Sequence, residues 1–249
     1  MAVTVFLSDI HLGANYIKNP RQHEKIVCDF LEKEASRANH IYLLGDVLDY
    51  WYEYRQVVPK GYIRFFGTLA RIADRGVKIT WLTGNHDIWL FGYLRDEIGI
   101  EIIDSPYVQR TIDGKNFILS HGDRISDGTF SFRFISSIFR NKVCQRLYAS
   151  IHPRWTVPFA HRWSNSSRCS HLIADDKESM LRRSVLDDAK KLAEKHPETN
   201  YVVMGHHHIV IDELIPDTDC RLMVLGDWIS QFTYAEFDGV NLQLKHFQQ

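Results

Sequence analysis

The sequence has little of what would place it in a specialised class. Its 249 residues include only four cysteines, Cys28, Cys144, Cys169 and Cys220, tens of residues apart and without Cys-x-x-Cys spacing. That excludes a disulfide framework and a cysteine-rich zinc site. No apolar run approaches the roughly 18 residues that cross a bilayer, and residues 1–7 carry neither a basic start nor a cleavage site, so the chain reads as cytoplasmic. With seven prolines, 14 glycines and no repeat or low-complexity linker, collagen and disorder are excluded as well. Net charge is nearly absent: 30 Lys and Arg face 31 Asp and Glu, giving −1. At 45% hydrophobic content this length fills one sizeable core, so a single domain over 1–249 with room for a large insertion is expected.

What is present is histidine, 13 in all, six of them inside five short motifs rich in Gly, Asp and Asn. The motifs follow a regular alternation of elements. Residues 3–7 form an apolar, β-branched run without helical period, which predicts a buried strand. Ile26, Val27, Phe30, Leu31 and Ala35 recur three and four apart and predict an amphipathic helix over 21–38. Strands are then expected at 41–44 and 77–82, helices at 62–75 and 88–98, and a hairpin over 107–120 turned at Asp113-Gly114. A charged helix over 175–196 is stopped by Pro197, a strand follows at 201–204, and short strands from Cys220 onward turn at Gly226 and Asp238-Gly239. Strand and helix in alternation argue for an α/β sheet with parallel neighbours.

Five polar clusters sit at the ends of these strands: Asp9/His11, Asp46/Asp49, Asn85/His86/Asp87, His121/Asp123 and His206/His208. Loops at the carboxyl ends of strands build the functional site in open α/β sheets. The i, i+2 spacing of Asp9 with His11, and of His206 with His208, would project each pair to one side of an extended segment, with His207 turned away. A donor set of carboxylate, imidazole and amide oxygen without thiolate suits manganese, iron, zinc or magnesium. So many donors fit two ions better than one, and a two-metal centre with a bridging carboxylate generates hydroxide at neutral pH while clamping a phosphoryl oxygen. Hydrolysis of a phosphate ester is its natural use. His23, His40, His152, His161, His171, His196 and His246 read as surface or packing residues.

Asp-Ile-His at 9–11, Gly-Asp-Val-Leu-Asp at 45–49, Gly-Asn-His-Asp at 84–87, His-Gly-Asp at 121–123 and Gly-His-His-His at 205–208 resemble the five blocks of the calcineurin-like metallophosphoesterases. The resemblance implies a four-layer α/β (α+β) fold of two central mixed β-sheets flanked by helices. It also implies two divalent ions, manganese first, with iron, zinc or magnesium as alternatives. Asp9, His11, Asp46 and His208 would hold one, and Asp46, Asn85, His121 and His206 the other, with Asp46 as the bridge. By the same resemblance His86 would sit beside the scissile phosphate as donor or proton source, and Asp49 would orient it. An oriented imidazolium can play both parts near pH 7.

Residues 124–168 differ from the rest, with eight aromatics and eight Lys and Arg against one acid, Asp127. The local charge is +7 and leaves −8 on the remainder. Helical packing as a cap accounts for part of the pattern. Basic and aromatic side chains also suit single-stranded nucleic acid, whereas a basic amphipathic segment suits an anionic membrane and an acyl chain. The aliphatic content favours the lipid, and no nucleic acid or protein partner is expected. A helical insertion directly after His-Gly-Asp, with Arg140-Asn141 and the polar run 164–168, is similar to the lid of the UDP-2,3-diacylglucosamine pyrophosphatases of lipid A biosynthesis.

That similarity implies a helical lid over 124–168, extending at most to about 196, a UDP-linked acylated sugar lipid as substrate, and peripheral association with the inner face of the cytoplasmic membrane. It also implies substrate contacts from Asn85, His86, Arg124, Asn165 and Arg168. The chain departs from that group in carrying His86 where its best-known members have arginine, and Asp49 where they have a longer acid. Both positions follow the general phosphoesterase pattern. Another phosphodiester, a nucleotide or a phosphoprotein is the alternative substrate class, and a non-catalytic scaffold is a third reading.

Overall fold

A computed structural model describes residues 3–125, 130–168 and 175–248, with backbone only for 130–134, 161–168 and 175–177. Strands β1 (Val3–Leu7), β2 (Ala38–Leu44), β3 (Lys78–Leu82) and β4 (Glu101–Ile103) run parallel. Two later strands, β10 (Thr233–Phe237) and β11 (Leu242–His246), extend that sheet antiparallel, in the order β11-β10-β1-β2-β3-β4. The second sheet has the order β5-β6-β7-β9-β8, from β5 (Val108–Ile112), β6 (Lys115–Ser120), β7 (Tyr201–Met204), β8 (Val210–Leu214) and β9 (Arg221–Leu225). Within it β6, β7 and β9 are parallel.

The alternation of side chains along each strand explains why the two sheets stack. Phe6, Tyr42, Leu44, Phe117, Leu119 and Val203 face one another between the sheets. Their sequence neighbours point outward: Val5, Leu7, Ile41 and Leu43 pack under the helices α1 (Pro20–Ala35) and α2 (Ile63–Asp74). On the second sheet Ile118, Val202, Met204 and Leu222 pack against Val185, Ala189 and Leu192 of α7 (Asp175–Lys195). Strands covered on both faces read as continuous apolar runs, which is why they were legible. The result is the expected arrangement of helix, sheet, sheet and helix, with the carboxyl ends of β1, β2, β3, β6, β7 and β9 gathered at one edge.

The positively charged stretch contributes three helices, α4 (Phe130–Arg140), α5 (Lys142–Ala149) and α6 (Pro153–Arg168). Asn141 caps α5, its side chain accepting from the N–H groups of Val143 and Cys144. A row of tyrosines in the extended segment after Asp49 fastens these helices to the body. Tyr50 Oη lies 3.0 Å from Tyr148 Oη, Tyr52 donates to the Gln145 carbonyl at 2.7 Å, and Tyr54 Oη lies 2.8 Å from Thr156 Oγ1. Trp89 Nε1 adds a bond to the Phe139 carbonyl. The i, i+2, i+4 spacing puts all three tyrosines on one side of the segment.

The expected helix over 88–98 is shorter, starting only at α3 (Tyr93–Ile98). Trp89 instead pairs with Tyr52 in a parallel bridge, and the Glu53 carboxylate accepts the N–H groups of Phe91, Gly92 and Tyr93, so these backbone donors are used before a helix can form. The edge strand β8 escaped the pattern because Asp212 and Glu213 interrupt its apolar run, and β4 because it is three residues long.

Phe30 is fully buried and meets Trp228 at 4.4 Å, Tyr234 at 4.7 Å and Phe247 at 5.3 Å between ring centroids. Phe30→Ala should destabilise the chain by about 3–5 kcal/mol in denaturant unfolding, because the three rings cannot collapse into the space left behind.

Candidate metal centre

The five motifs meet where the two sheets come together. His121, after β6, donates from Nδ1 to the Leu44 carbonyl at the end of β2 at 2.8 Å, and Gly205 N–H donates to the His121 carbonyl. Asp9 N–H donates to the Gly45 carbonyl, and His206 N–H donates to Asp9 Oδ2 at 2.8 Å. Two backbone bonds and two made by side chains therefore tie the ends of β1, β2, β6 and β7 together before any ligand is involved.

The approach is close enough to constrain residue type. A Cβ at Gly84 would stand 2.2 Å from Asp46 Oδ1, so only glycine lets the β3 loop lie against that carboxylate. Asp9, His11, Asp46, His206 and His208 all hold left-handed backbone, with φ between 51° and 71°. Non-glycine residues rarely adopt this conformation, at a cost of order 1–3 kcal/mol each, and such outliers concentrate at functional sites. This differs from the extended geometry expected from the i, i+2 spacing. Asp9 and His11 still turn toward one point, but His206 and His208 separate into different clusters.

Those clusters are Asp9, His11 and His208; His11, Asp46 and His86; and Asp46, His121 and His206, the donor atoms of each lying within 4.8 Å of one another. Asp46 occurs in two of them. Its Oδ1 accepts His86 N–H at 2.9 Å, while Oδ2 lies 3.7 Å from His11 Nε2, 3.4 Å from His121 Nε2 and 3.9 Å from His86 Nε2. Asp9 divides its oxygens in the same way, with Oδ1 buried and without a hydrogen-bond partner, 3.8 Å from His11 Nε2 and 3.5 Å from His208 Nε2. Asn85 Oδ1 reaches His121 Nε2 at 3.2 Å.

Most of these separations are long for hydrogen bonds, yet they suit donors arranged around a shared ion at about 2.0–2.2 Å from each. An orphaned carboxylate oxygen facing imidazole nitrogens makes the donor set fit divalent metal. The outer nitrogens support that orientation: His121 Nδ1 faces the Leu44 carbonyl, and His11 Nδ1 is 3.4 Å from Asp49 Oδ1, leaving Nε2 turned inward in both.

Electrostatics follow from the crowding. Burial pushes the Asp46 carboxyl up, but His121, His86 and His11 outweigh it and hold the group well below the ordinary carboxylate range. Burial likewise disfavours charge on His86, yet the Asp46 and Asp49 carboxylates raise its pKa above the usual imidazole value. His206 moves the other way, lowered well below that value by burial and by His121. Asp87 is a support rather than a donor: its oxygens accept from Gly84 N–H, Val47 N–H and Trp81 Nε1, and burial with Asp46 nearby raises it to about 6.

The remaining site expectations fall at the edge. Asp49 places its carbonyl 3.1 Å and its Oδ1 3.6 Å from His86 Nδ1, so it stands behind His86. Arg124 is half-buried, pairing with Asp104 at 2.9 Å, and Arg140 from α4 lies 3.4 Å from the same carboxylate and 3.9 Å from Asp123. Of the Arg124 donors, Nη2 is the one that pairs with Asp104, while Nε is buried without a hydrogen-bond partner. Asn165 and Arg168 fall within α6, but their side chains lie outside the described residues. The residue that sequence reasoning missed is Asp227, whose Oδ2 is 3.5 Å from His208 Nδ1. Its signal was available, since Gly226-Asp227 follows a strand as Gly45-Asp46 and Gly122-Asp123 do.

Replacing Asp46 by Asn should lower the divalent metal bound per chain in elemental analysis, because a neutral amide cannot serve two clusters. For the unmodified chain, chelation should lower the unfolding midpoint, since ions that bind only the folded state at about 1,000 times their Kd contribute about 4 kcal/mol.

Comparison with known proteins gives this geometry a family. The calcineurin-like phosphoesterase family model matches residues 2–210. A UDP-2,3-diacylglucosamine hydrolase of Porphyromonas gingivalis is 36% identical over 255 residues, covering 98% of this chain and 97% of that protein. Another of the same name, from Nitrosococcus oceani, is 27% identical over 90% of this chain and 87% of its own. A solved structure described as a novel archaeal phosphodiesterase aligns over 98% of both chains at 14% identity with a TM-score of 0.47. With its family model spanning all five motifs and a relative alike over nearly the whole length, the chain belongs to the calcineurin-like phosphoesterases.

Proposed function

We propose that this metal-dependent hydrolase cleaves the pyrophosphate of UDP-2,3-diacylglucosamine, releasing UMP and 2,3-diacylglucosamine 1-phosphate for lipid A biosynthesis. The observation that carries the reading is the 36% identity to a UDP-2,3-diacylglucosamine hydrolase across 98% of the chain, joined to the cluster of buried carboxylates and imidazoles. Asp9, His11, Asp46 and His208 would hold one ion and Asp46, Asn85, His121 and His206 the other, manganese being favoured. When bound, such ions supply hydroxide near neutral pH and neutralise charge on phosphoryl oxygens.

The chain's own residues supply the rest. Water adds to the UMP phosphorus and the bond to the bridging oxygen breaks, leaving the lipid as a phosphate monoester. His86 stands with Nδ1 against the Asp49 carbonyl, so Nε2 is the atom that donates to the phosphoryl group or leaving oxygen. Asp49, which holds no ion in this reading, favours the protonated imidazole that His86 needs for that part. Arg124, at the junction with the helices α4 to α6, pairs through Nη2 with Asp104 and keeps a buried Nε without a hydrogen bond, a donor that suits the second phosphate of the substrate.

Segment 124–168 is read as a lid on a single domain over 1–249, covering glucosamine and acyl chains, with Asn165 and Arg168 toward the substrate. Its outer surface carries Val143, Leu147, Ile151, Trp155 and Phe159, 50% to 69% exposed, among the exposed cations Lys142, Arg146 and Arg154. Apolar and cationic side chains so mixed suit an anionic bilayer at the inner face of the cytoplasmic membrane. No helix among the described residues is long and apolar enough to cross a membrane, so attachment would be peripheral.

Manganese-loaded protein given the UDP-lipid and a generic soluble diester side by side should release UMP from the former, and His86→Ala should reduce turnover by about 10²–10⁴-fold. Absence of UMP, with diester turnover indifferent to deletion of 124–168, sinks the lipid substrate and favours the alternative class. Vesicles containing phosphatidylglycerol should sediment the protein better than neutral ones, and Leu147→Glu with Trp155→Glu should cut the bound fraction about tenfold.

A further inference from the structure

The connection from β9 to β10 passes from the second sheet to the first, and it does so directly behind the Asp9, His11 and His208 cluster. Three contacts from this one turn reach that cluster. Trp228 N–H donates to the Asp9 carbonyl at 3.1 Å, Gln231 Nε2 donates to the His208 carbonyl at 2.9 Å, and Asp227 Oδ2 lies 3.5 Å from His208 Nδ1. Gly226 makes the turn possible: its φ is +71°, and a Cβ there would stand 2.1 Å from Gln231 Oε1 and 2.6 Å from Thr233 Oγ1.

Asp227 divides its two oxygens between distinct tasks. Oδ1 accepts the N–H groups of Ile229, Ser230 and Gln231 at 2.9, 2.7 and 3.2 Å, which fixes the carboxylate plane. Ser230 Oγ adds contacts of 3.2 Å to both oxygens. Held in this way, and only 5% exposed, Asp227 aims Oδ2 at the side of the His208 ring opposite Asp9.

We propose that Asp227 is a positioning residue of the metal centre: it accepts the Nδ1 proton of His208, fixing the tautomer whose Nε2 is free to bind the ion shared with Asp9 and His11. Asp227 is then to His208 what the Leu44 carbonyl is to His121 and Asp49 is to His11. The centre is assembled from six strand ends, the sixth being that of β9. The inference rests on the metal reading of the site and not on the identity of the substrate. In its physical logic, the partner of the outer nitrogen sets the tautomer and basicity of a metal-binding imidazole, and its removal weakens metal binding by about 10–100-fold.

Asp227→Asn separates this role from the turn. The amide oxygen can still accept from residues 229 to 231, but the amide nitrogen only donates, so it forces a proton onto His208 Nε2, where the ion binds. Manganese titration followed by electron paramagnetic resonance, with no substrate present, should show one of the two sites weakened by about 10–100-fold and the other retained. The chelated variant should unfold at the same midpoint as the chelated parent, and Ser230→Ala should bind metal as the parent does. Nitrogen-15 spectra of the diamagnetic, zinc-loaded parent should place the His208 proton on Nδ1. Parental affinity at both sites in Asp227→Asn overturns the proposal, as does an affinity loss matched by an equal fall in the midpoint of the chelated protein, which is the signature of a purely structural turn. If the parent binds no divalent ion while His208→Ala leaves it unchanged, the metal reading itself fails and this role with it.

Discussion

Carboxylates and imidazoles crowded into a nearly dry space are the constraint on which the rest of this structure depends. Asp9 and His11 are fully buried, and Asp46 and His121 nearly so. An ionised carboxylate in such surroundings is tolerated only when it is paired and hydrogen-bonded. Each of the two acids meets the requirement by halves, one oxygen taking a backbone N–H and the other facing imidazole nitrogens. The arrangement leaves a concentrated set of donors aimed inward, which a divalent cation satisfies better than protons do. Five of the residues involved also sit in left-handed backbone. Strain and charge are thus stored at one place and must be offset by the body around it.

The offset comes from how the sheets are joined. Rings and aliphatic side chains between them, among them Phe6, Tyr42, Phe117 and Phe237, form a slab that holds the strand ends at a constant separation. The bonds that cross the seam, such as His121 to the Leu44 carbonyl and Trp228 to the Asp9 carbonyl, then have little freedom to relax. Rigid elements that end together are what allow loop residues to converge on one ion with small positional error.

How much of this was legible in the sequence differs by element. The parallel strands other than the three-residue β4 were, because burial on both faces makes each a short apolar run, and the five motifs were, because polar donors recur at each run's end. The helix over 88–98 was overestimated, since nothing local announces that Glu53, far off in sequence, claims the N–H groups of residues 91 to 93. The convergence of Asp9 with His11 was expected for the wrong geometric reason: left-handed φ values depend on tertiary contacts that spacing does not encode. Asp227 was overlooked although Gly226-Asp227 follows a strand as Gly45-Asp46 does, because no histidine stands near it in the sequence to mark the turn as part of the donor set.

The tyrosine row links the centre to the charged helices more directly than sequence order suggests. Asp49 holds the outer nitrogen of His86, and the next residue, Tyr50, meets Tyr148 in α5, with Tyr52 and Tyr54 reaching the same helical unit. One extended segment therefore faces His86 through its first residue and the helices through alternate residues beyond it. Each phenol bond contributes on the order of 1 kcal/mol net, so the row can hold the helices in register without fusing them to the core. The exposed fringe of Val143, Leu147 and Trp155 packs against nothing described that would add to that hold. Trp89 to the Phe139 carbonyl and Arg140 to Asp104 fasten the same helices from the β3 side, so the residues that flank His86 on either side are also the ones that hold the charged helices in place.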